Sequence, residues 1–394
     1  LIDFNHLSSE SPKNKIAKQL EGNPIVLPFH YDTGGHICVP VTVNDHPLQF
    51  MLDTGSTEAV IWKQALPGVA TINNVQVHGI RPNGTGRLFD WCRVRELKLG
   101  SLSLPDVAMA VDVGLVGHKT LSGFLGGNIL EDFVVTVDYT KKQVILACSF
   151  DKNSSKNTIM VPMRIRNHRP FCSVNLDGKL EVPALLDTGS PSNMAAESLL
   201  EPILKKKLYF WIRTSGPWMG NLSGDKVKLK SIEPGGNNFK EPVFDVFRAS
   251  DAPAAATSIM LGNSYLSGFK SVTFDYPARQ VFFEPAETSS KSAGALRDEG
   301  EFQLYYGKVQ QAEEAFSQSI ILDKELAGLC YPLRAEAYMN LKQYRKALED
   351  IIEAIKLDPT HAKNYRIRAW AYEKLGKYQL ARRDRKMAKL HSRP

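Results

Sequence analysis

Met51-Leu52-Asp53-Thr54-Gly55-Ser56 and Leu185-Leu186-Asp187-Thr188-Gly189-Ser190 are two copies of one pattern, an apolar pair, then Asp-Thr-Gly, then serine. They lie 187 − 53 = 134 residues apart, enough chain for one compact lobe per copy. Each copy is preceded by strand-like runs, Val41 to Asn44 with Leu48 to Leu52, and Val174 to Leu176 with Val182 to Leu186, so each aspartate is expected where a buried strand ends. Each is followed by a closure fitting Leu-Gly-x-x-x-Leu-x-x-Phe, from Leu125 to Phe133 and from Leu261 to Phe269, then by Asp138-Tyr139 and Asp275-Tyr276. The closure glycines Gly126 and Gly262 follow their aspartates by 126 − 53 = 73 and 262 − 187 = 75 residues. Repetition at this depth marks an internal duplication with the two aspartates brought face to face.

A third Asp-Thr-Gly, Asp32-Thr33-Gly34, lacks the apolar pair and runs into Gly35-His36. It reads as a hairpin turn between strand-like segments. Arg81-Pro82-Asn83-Gly84-Thr85-Gly86 in the first half and Trp218-Met219-Gly220 in the second are Gly-bearing stretches expected to form flaps over a cleft.

Outside the duplicated region the pattern changes. Residues 1–24 are polar and mixed in charge, and read as an exposed arm with a pro-segment-like, inhibitory role as a hypothesis. Residues 286–298 are Ser-rich and read as a linker. Beyond them Tyr331 and Tyr365, Arg334 and Arg368, Ala335 and Ala369, Tyr338 and Tyr372, Tyr344 and Tyr378, and Ala347 and Ala381 are each 34 residues apart. That period resembles tetratricopeptide repeats, with three helix pairs expected over 299–394, the first degenerate. The tyrosines and alanines of such repeats mainly pack. The expected division is thus an arm (1–24), two β lobes (25–150 and 158–285), a linker (286–298) and an all-α repeat domain (299–394).

Composition narrows the function. Apolar residues make up 43% and charged residues 23% of the chain, an ordinary globular balance, and no apolar run approaches the roughly 20 residues that span a bilayer. The chain opens at Leu1, and a signal removed upstream would place it in a periplasm or outside the cell. Five cysteines without close pairs, and no histidine at metal-ligand spacing, argue against a metal site. Residues 301–394 carry 18 Lys+Arg and 12 Asp+Glu, a balance of +6 out of +7, so the basicity belongs to the tail. No aromatic interleaves with its basic run after Tyr378, which disfavours nucleic acid as the partner.

Two carboxylates within hydrogen-bond reach cannot both ionise easily; they share a proton and titrate as a unit. The ionised member can deprotonate a water while the protonated member donates to a carbonyl oxygen, the chemistry of peptide-bond hydrolysis without a covalent intermediate. Thr54 and Thr188 are suited to bond across to the opposite half, Gly55 and Gly189 allow close approach, and Ser56 and Ser190 offer hydroxyls to the carboxylates. Residues 25–285 resemble aspartic proteases of the pepsin and retropepsin type, most like the bacterial retropepsin-like ones, here as a single-chain pseudo-dimer. The resemblance implies a mostly β, bilobed fold, Asp53 and Asp187 as the catalytic pair, Thr54 and Thr188 as cross-braces, and Gly126 and Gly262 packed beneath the site. It implies a peptide or protein substrate, no cofactor and no metal. With both halves on one chain a monomer is expected to suffice, and the repeats are expected to recruit a protein partner or substrate. The competing expectation is a catalytically silent peptide-binding and interaction scaffold. Two departures stand out: the first candidate flap has no tyrosine, and Pro191 after Ser190 has no counterpart at Thr57.

Overall fold

A computed structural model of the chain describes residues 20, 23–65, 77–80, 86–112, 121–150, 158–204, 212–216, 220–235, 239–250, 256–287 and 291–392. The region up to Pro285 is mostly β, and helices follow.

The strands that lead to the two Asp-Thr-Gly turns are built alike. His46–Leu52 and Leu180–Leu186 both pass from an exposed edge into the interior and end on three consecutive buried residues. Once a strand is covered on both faces, alternation gives way to a continuous apolar run, which is why the apolar pair precedes each aspartate. Tight turns of two and three residues set the register upstream. Asn44-Asp45 and Asp177-Gly178 adopt positive φ, between 48° and 68°, the backbone twist that favours Asn, Asp and Gly in hairpins. The first of these turns lies at Asn44-Asp45, so His46 and Pro47, which fall between the strand-like runs Val41 to Asn44 and Leu48 to Leu52, are already in the strand.

The pairings repeat between the halves. Strand His46–Leu52 runs parallel to Gly123–Leu125, and Leu180–Leu186 runs parallel to Ile259–Leu261. Val60–Trp62 pairs parallel with Leu102–Asp112 and antiparallel with Gly123–Leu125. Met194–Ala196 likewise pairs parallel with Val243–Phe247 and antiparallel with Ile259–Leu261. The first half forms an eight-stranded sheet that closes on itself where Thr42 and Val43 pair with Lys98 and Leu97. The halves join through a shared antiparallel stretch in which Val134–Asp138 lies beside Phe269–Asp275. Thr136 and Thr273 bond hydroxyl to hydroxyl across that seam at 2.8 Å. One apolar core runs through both halves, from Ile37 and Leu52 to Leu186 and Leu261.

Leu20, within the stretch expected to be an exposed arm, is only 2% exposed and packs into that core. Ile16, Ala17 and Leu20 stand at helical spacing, but one such turn in a polar stretch is too short to mark a buried face, so the docking of Leu20 is not legible from the pattern. The rest of the arm through Gly22 lies outside the described residues.

Six helices form the C-terminal region: α1 (Ala293–Tyr305), α2 (Val309–Leu322), α3 (Ala327–Asn340), α4 (Tyr344–Leu357), α5 (Ala362–Lys374) and α6 (Tyr378–His391). Successive helices pack against one another and the region resembles tetratricopeptide repeats. Helix α1 begins inside the stretch 286–298 expected to be a linker. Ser292 is its N-cap, accepting from Ala295 N at 3.2 Å, so a serine that suggested a loop by composition starts a helix by its side chain. Ala335, Ala347, Ala369 and Ala381 are buried where helices approach closely. A further 34-residue match joins the pairs: Arg334 holds Asp350 with two bonds of 2.8 Å, and Arg368 holds Asp384 with two of 2.7 Å. Tyr338 and Tyr365 are buried, whereas Tyr331 and Tyr372 are half-buried. Among the described residues no helix is long and apolar enough to cross a membrane.

Candidate active site

Each aspartate is held where its strand ends. Asp53 N donates to Leu125 O at 3.0 Å and Asp187 N to Leu261 O at 2.9 Å, so each loop is suspended from the closure strand of its own half. The chain then turns sharply, Ser56 N and Ser190 N reaching back to Asp53 O and Asp187 O, both at 3.3 Å.

The two loops interlock through four buried hydrogen bonds. Thr54 Oγ1 donates to Leu186 O at 2.7 Å and accepts from Thr188 N at 3.0 Å. Thr188 Oγ1 donates to Leu52 O at 2.8 Å and accepts from Thr54 N at 3.1 Å. Each hydroxyl thus uses its one proton and one lone pair on the opposite half. Glycine follows for a steric reason: a methyl on Gly55 would overlap the Asp187 carboxyl, and one on Gly189 would overlap the Asp53 carboxyl. The carboxyls therefore lie against each other's loops, hydrogen-bonded to one another.

Their electrostatics differ. Burial pushes the Asp53 carboxyl well above the usual range and the neighbouring Asp187 charge raises it further, against backbone N–H groups of Ser56 and Gly55 that favour the charged form. Burial also raises Asp187, but the Gly189 N–H at 2.8 Å, the Asp53 hydrogen bond, Arg169 and His36 all oppose it. Both carboxyls are thus raised, and the pair shares a proton and titrates as a unit.

Ser56 and Ser190 act otherwise than expected. Their hydroxyls donate to Glu58 O at 2.9 Å and Ser192 O at 2.8 Å, which spends each single proton on the loop backbone. It is the Ser56 backbone N–H, not its hydroxyl, that serves the Asp53 carboxylate. Short hydroxyls compete well for nearby carbonyls, and spacing alone does not tell which acceptor is in line.

Gly126 and Gly262 lie beneath the loops. A Cβ on Gly126 would overlap Glu58 O, and one on Gly262 would overlap Ser192 O and come within 2.6 Å of Ser190 O. These neighbours are backbone and cannot swing aside. Gly126→Ala and Gly262→Ala are each expected to lower stability by about 1–3 kcal/mol, read as a lowered denaturation midpoint.

Of the expected flap residues, Asn83, Gly84, Thr85, Trp218 and Met219 lie outside the described residues. Gly86 and Gly220 are strand residues and not loop: Gly86 pairs with Ile80 and Gly220 with Gly216, each closing a hairpin ladder. Glycine in a strand carries no sequence mark that separates it from glycine in a turn.

Two basic residues near the pair were not anticipated. Arg169 opens strand Arg169–Leu176, and the charges of both aspartates act on its guanidinium; its Nε is buried without a hydrogen-bond partner. His36 also lies within electrostatic reach of Asp187, held by Asp32 through a 3.0 Å contact at Nδ1. The third Asp-Thr-Gly does form a turn, with Asp32 N and Gly35 N bonded across it to His36 O and Asp32 O. Their positions match: His36 is two residues before Cys38, which pairs with Met51, and Arg169 two before Phe171, which pairs with Leu185. Aligning the halves on their aspartates exposes this match. No group of three His, Cys, Asp or Glu suited to a metal ion occurs among the described residues.

Comparison with known proteins agrees with a composite chain. A family model described as aspartyl protease matches residues 39–129, under half of the chain. The small glutamine-rich tetratricopeptide repeat-containing protein of Dictyostelium discoideum is 35% identical over 88 residues, covering 22% of this chain and 26% of that protein. The mitochondrial import receptor subunit TOM34 of Homo sapiens is 34% identical over 79 residues, covering 20% and 25%. The chain thus spans about a quarter of the length of these curated relatives. Among solved structures, the second TPR of Spaghetti (RPAP3), bound to HSP90 peptide SRMEEVD, is 30% identical and covers 26% of this chain and 93% of its own, with a TM-score of 0.25. The chain therefore combines an aspartyl protease-like region with helices that resemble tetratricopeptide repeats.

Proposed function

We propose that the chain is an aspartic endopeptidase with a bilobed, single-chain pseudo-dimeric fold, and that Asp53 and Asp187 are its catalytic pair. The observation that carries the reading is the pair itself: two carboxyls against each other on interlocked loops, both raised above the usual carboxylate range, so that they can share a proton. In this reaction Asp187 takes a proton from a water as its oxygen attacks the scissile carbonyl carbon, while the Asp53 proton passes to the carbonyl oxygen. The resulting gem-diol collapses as the C–N bond breaks, the proton on Asp187 going to the leaving nitrogen and a diol proton returning to Asp53. The hairpins 77–80 with 86–99 and 212–216 with 220–228 are the flaps of this reading. The helical region recruits a protein partner or substrate, a role supported by the tetratricopeptide-repeat relatives.

The test is cleavage of a mixed peptide library from about pH 3 to 7, the range that brackets a carboxylate pair. Cleavage that disappears in both Asp53→Asn and Asp187→Asn supports the reading. A folded wild type that binds peptides without cutting any of them at any pH would replace it with the silent scaffold.

A further inference from the structure

The helical region meets the β region at the back of the Asp187 loop. Arg297, on the second turn of α1, is 3% exposed. Its Nη2 donates to Pro191 O at 2.9 Å and to Ser192 Oγ at 2.8 Å, while Asp298 beside it accepts from Arg297 Nε at 3.1 Å and from Ser192 Oγ at 3.3 Å. Pro191 O accepts in addition from Ser264 N at 3.1 Å, and Ser190 O from Asn263 N at 2.8 Å. The helix start is anchored on the same turn, since Ser292 Oγ donates to Ser264 O at 3.3 Å and a Cβ on Gly294 would meet Ser264 Cα at 3.0 Å. The matching carbonyl of the first half, Thr57 O, accepts from Asn128 N at 3.0 Å, within its own half.

A second contact lies beside the first. Gly35, with φ of +78°, is packed against the helices: a Cβ there would come within 2.7 Å of the Leu329 side chain on α3, 3.4 Å of Pro191 and 3.7 Å of Arg297. The turn that carries His36 toward Asp187 is thus seated on the helices as well. The Asp187 loop and the His36 turn thus both rest on the helical region.

Resting on the endopeptidase reading, we infer that Arg297 is a positioning residue for Asp187, so that the helical region completes the active site in addition to recruiting partners. Breaking a buried ion pair costs more than forming it gains, so such a group stabilises little by itself but fixes geometry strongly. The guanidinium presents a rigid planar fork whose Nη2 reaches Pro191 O and Ser192 Oγ while Nε holds Asp298, a fixed spread of donors that the single nitrogen of a lysine does not reproduce. Its grip falls four residues after Asp187, on the loop whose Gly189 N–H holds the Asp187 carboxylate. Pro191 fits the same reading: it has no N–H of its own, and its carbonyl serves two donors, one from each region.

The test uses the full chain and compares Arg297→Gln, Arg297→Lys, Ser192→Ala and the Arg297→Gln/Ser192→Ala double variant, with rates normalised to the folded fraction. A misplaced Asp187 is expected to lower kcat of Arg297→Gln by ~10- to 100-fold with KM within about twofold, because sub-ångström displacement acts on the reaction more than on binding. Loosening the loop weakens the Gly189 bond to the charged carboxylate, so the acid limb of kcat/KM should move to higher pH. Arg297→Lys should fall between, Ser192→Ala should lose less, and the double variant should be no worse than Arg297→Gln, since both act on one contact. Unchanged kcat per folded molecule together with an unmoved acid limb overturns the inference and leaves Arg297 a structural residue. Asp53→Asn cleaving as fast as wild type would mark a different failure, that of the endopeptidase reading, and would take the inference with it.

Discussion

Asp53→Asn is expected to abolish cleavage, with kcat/KM down by at least ~10³-fold, and Asp187→Asn to do the same for the opposite reason. General acid–base groups contribute roughly 10²–10⁴-fold each, and in the proposed reaction each carboxyl acts once as acid and once as base within a turnover. Asparagine at 53 can still donate a hydrogen bond but cannot surrender a proton to the carbonyl oxygen. At 187 it cannot take one from water. The measurement is the initial rate on a peptide the wild type cuts, against the pH of the wild-type optimum. A residual rate above a tenth of wild type in either variant would refute the dyad.

The same substitution carries a stability consequence of opposite sign. The folded-state pKa of Asp53 is raised above its ordinary value, so the folded protein holds a proton that the unfolded chain has already released. Stability from this group is therefore lost as pH rises from the ordinary carboxylate range through the raised folded value. Asp53→Asn, neutral throughout, escapes that loss. It is expected to denature at higher temperature than wild type near pH 7, with the difference shrinking as pH falls and gone below about 4, the ordinary carboxylate range. A site that is inactive when relieved of strain is the usual trade between activity and stability.

Thr54→Val is expected to destabilise the β region by about 2–6 kcal/mol. Valine keeps the shape and removes only the hydroxyl, which orphans two buried groups, Leu186 O and Thr188 N, each costing about 1–3 kcal/mol. Because both orphans belong to the other half, the loss falls on the junction between halves. Hydrogen exchange at Leu186 to Ser190 should rise before the outer strands loosen. Thr188→Val should match it in size, since it removes the mirror pair of bonds, to Leu52 O and from Thr54 N. The double variant should cost less than the sum, as the two hydroxyls share one cluster. Chemical denaturation of the three variants checks all of this, and a loss below 1 kcal/mol for the singles would show that the interlock holds little.

What was legible along the chain is what depends on near neighbours. An apolar pair before Asp-Thr-Gly marks a strand sinking into a core, because doubly covered strands need continuous apolar side chains, and the recurrence of the whole pattern marks two halves built alike. A 34-residue period of Tyr, Arg and Ala marks helix pairs, because each repeat buries its face only against the next. Those local signals placed Asp53 and Asp187 at strand ends and separated the β region from the helices. They did not say which carbonyl takes the Ser56 hydroxyl, whether Ser292 closes a linker or caps a helix, or that Leu20 is buried. These depend on groups distant in sequence arriving at hydrogen-bond or van der Waals range. The tertiary structure decided the arrangements with no periodicity to announce them: His36 and Arg169 within electrostatic reach of Asp187, and Arg297, reaching 106 residues back to Pro191 to hold the Asp187 loop from behind. A spacing reveals a motif, but direction and burial belong to three dimensions, and a buried guanidinium finds its acceptors only when two separately folded surfaces meet.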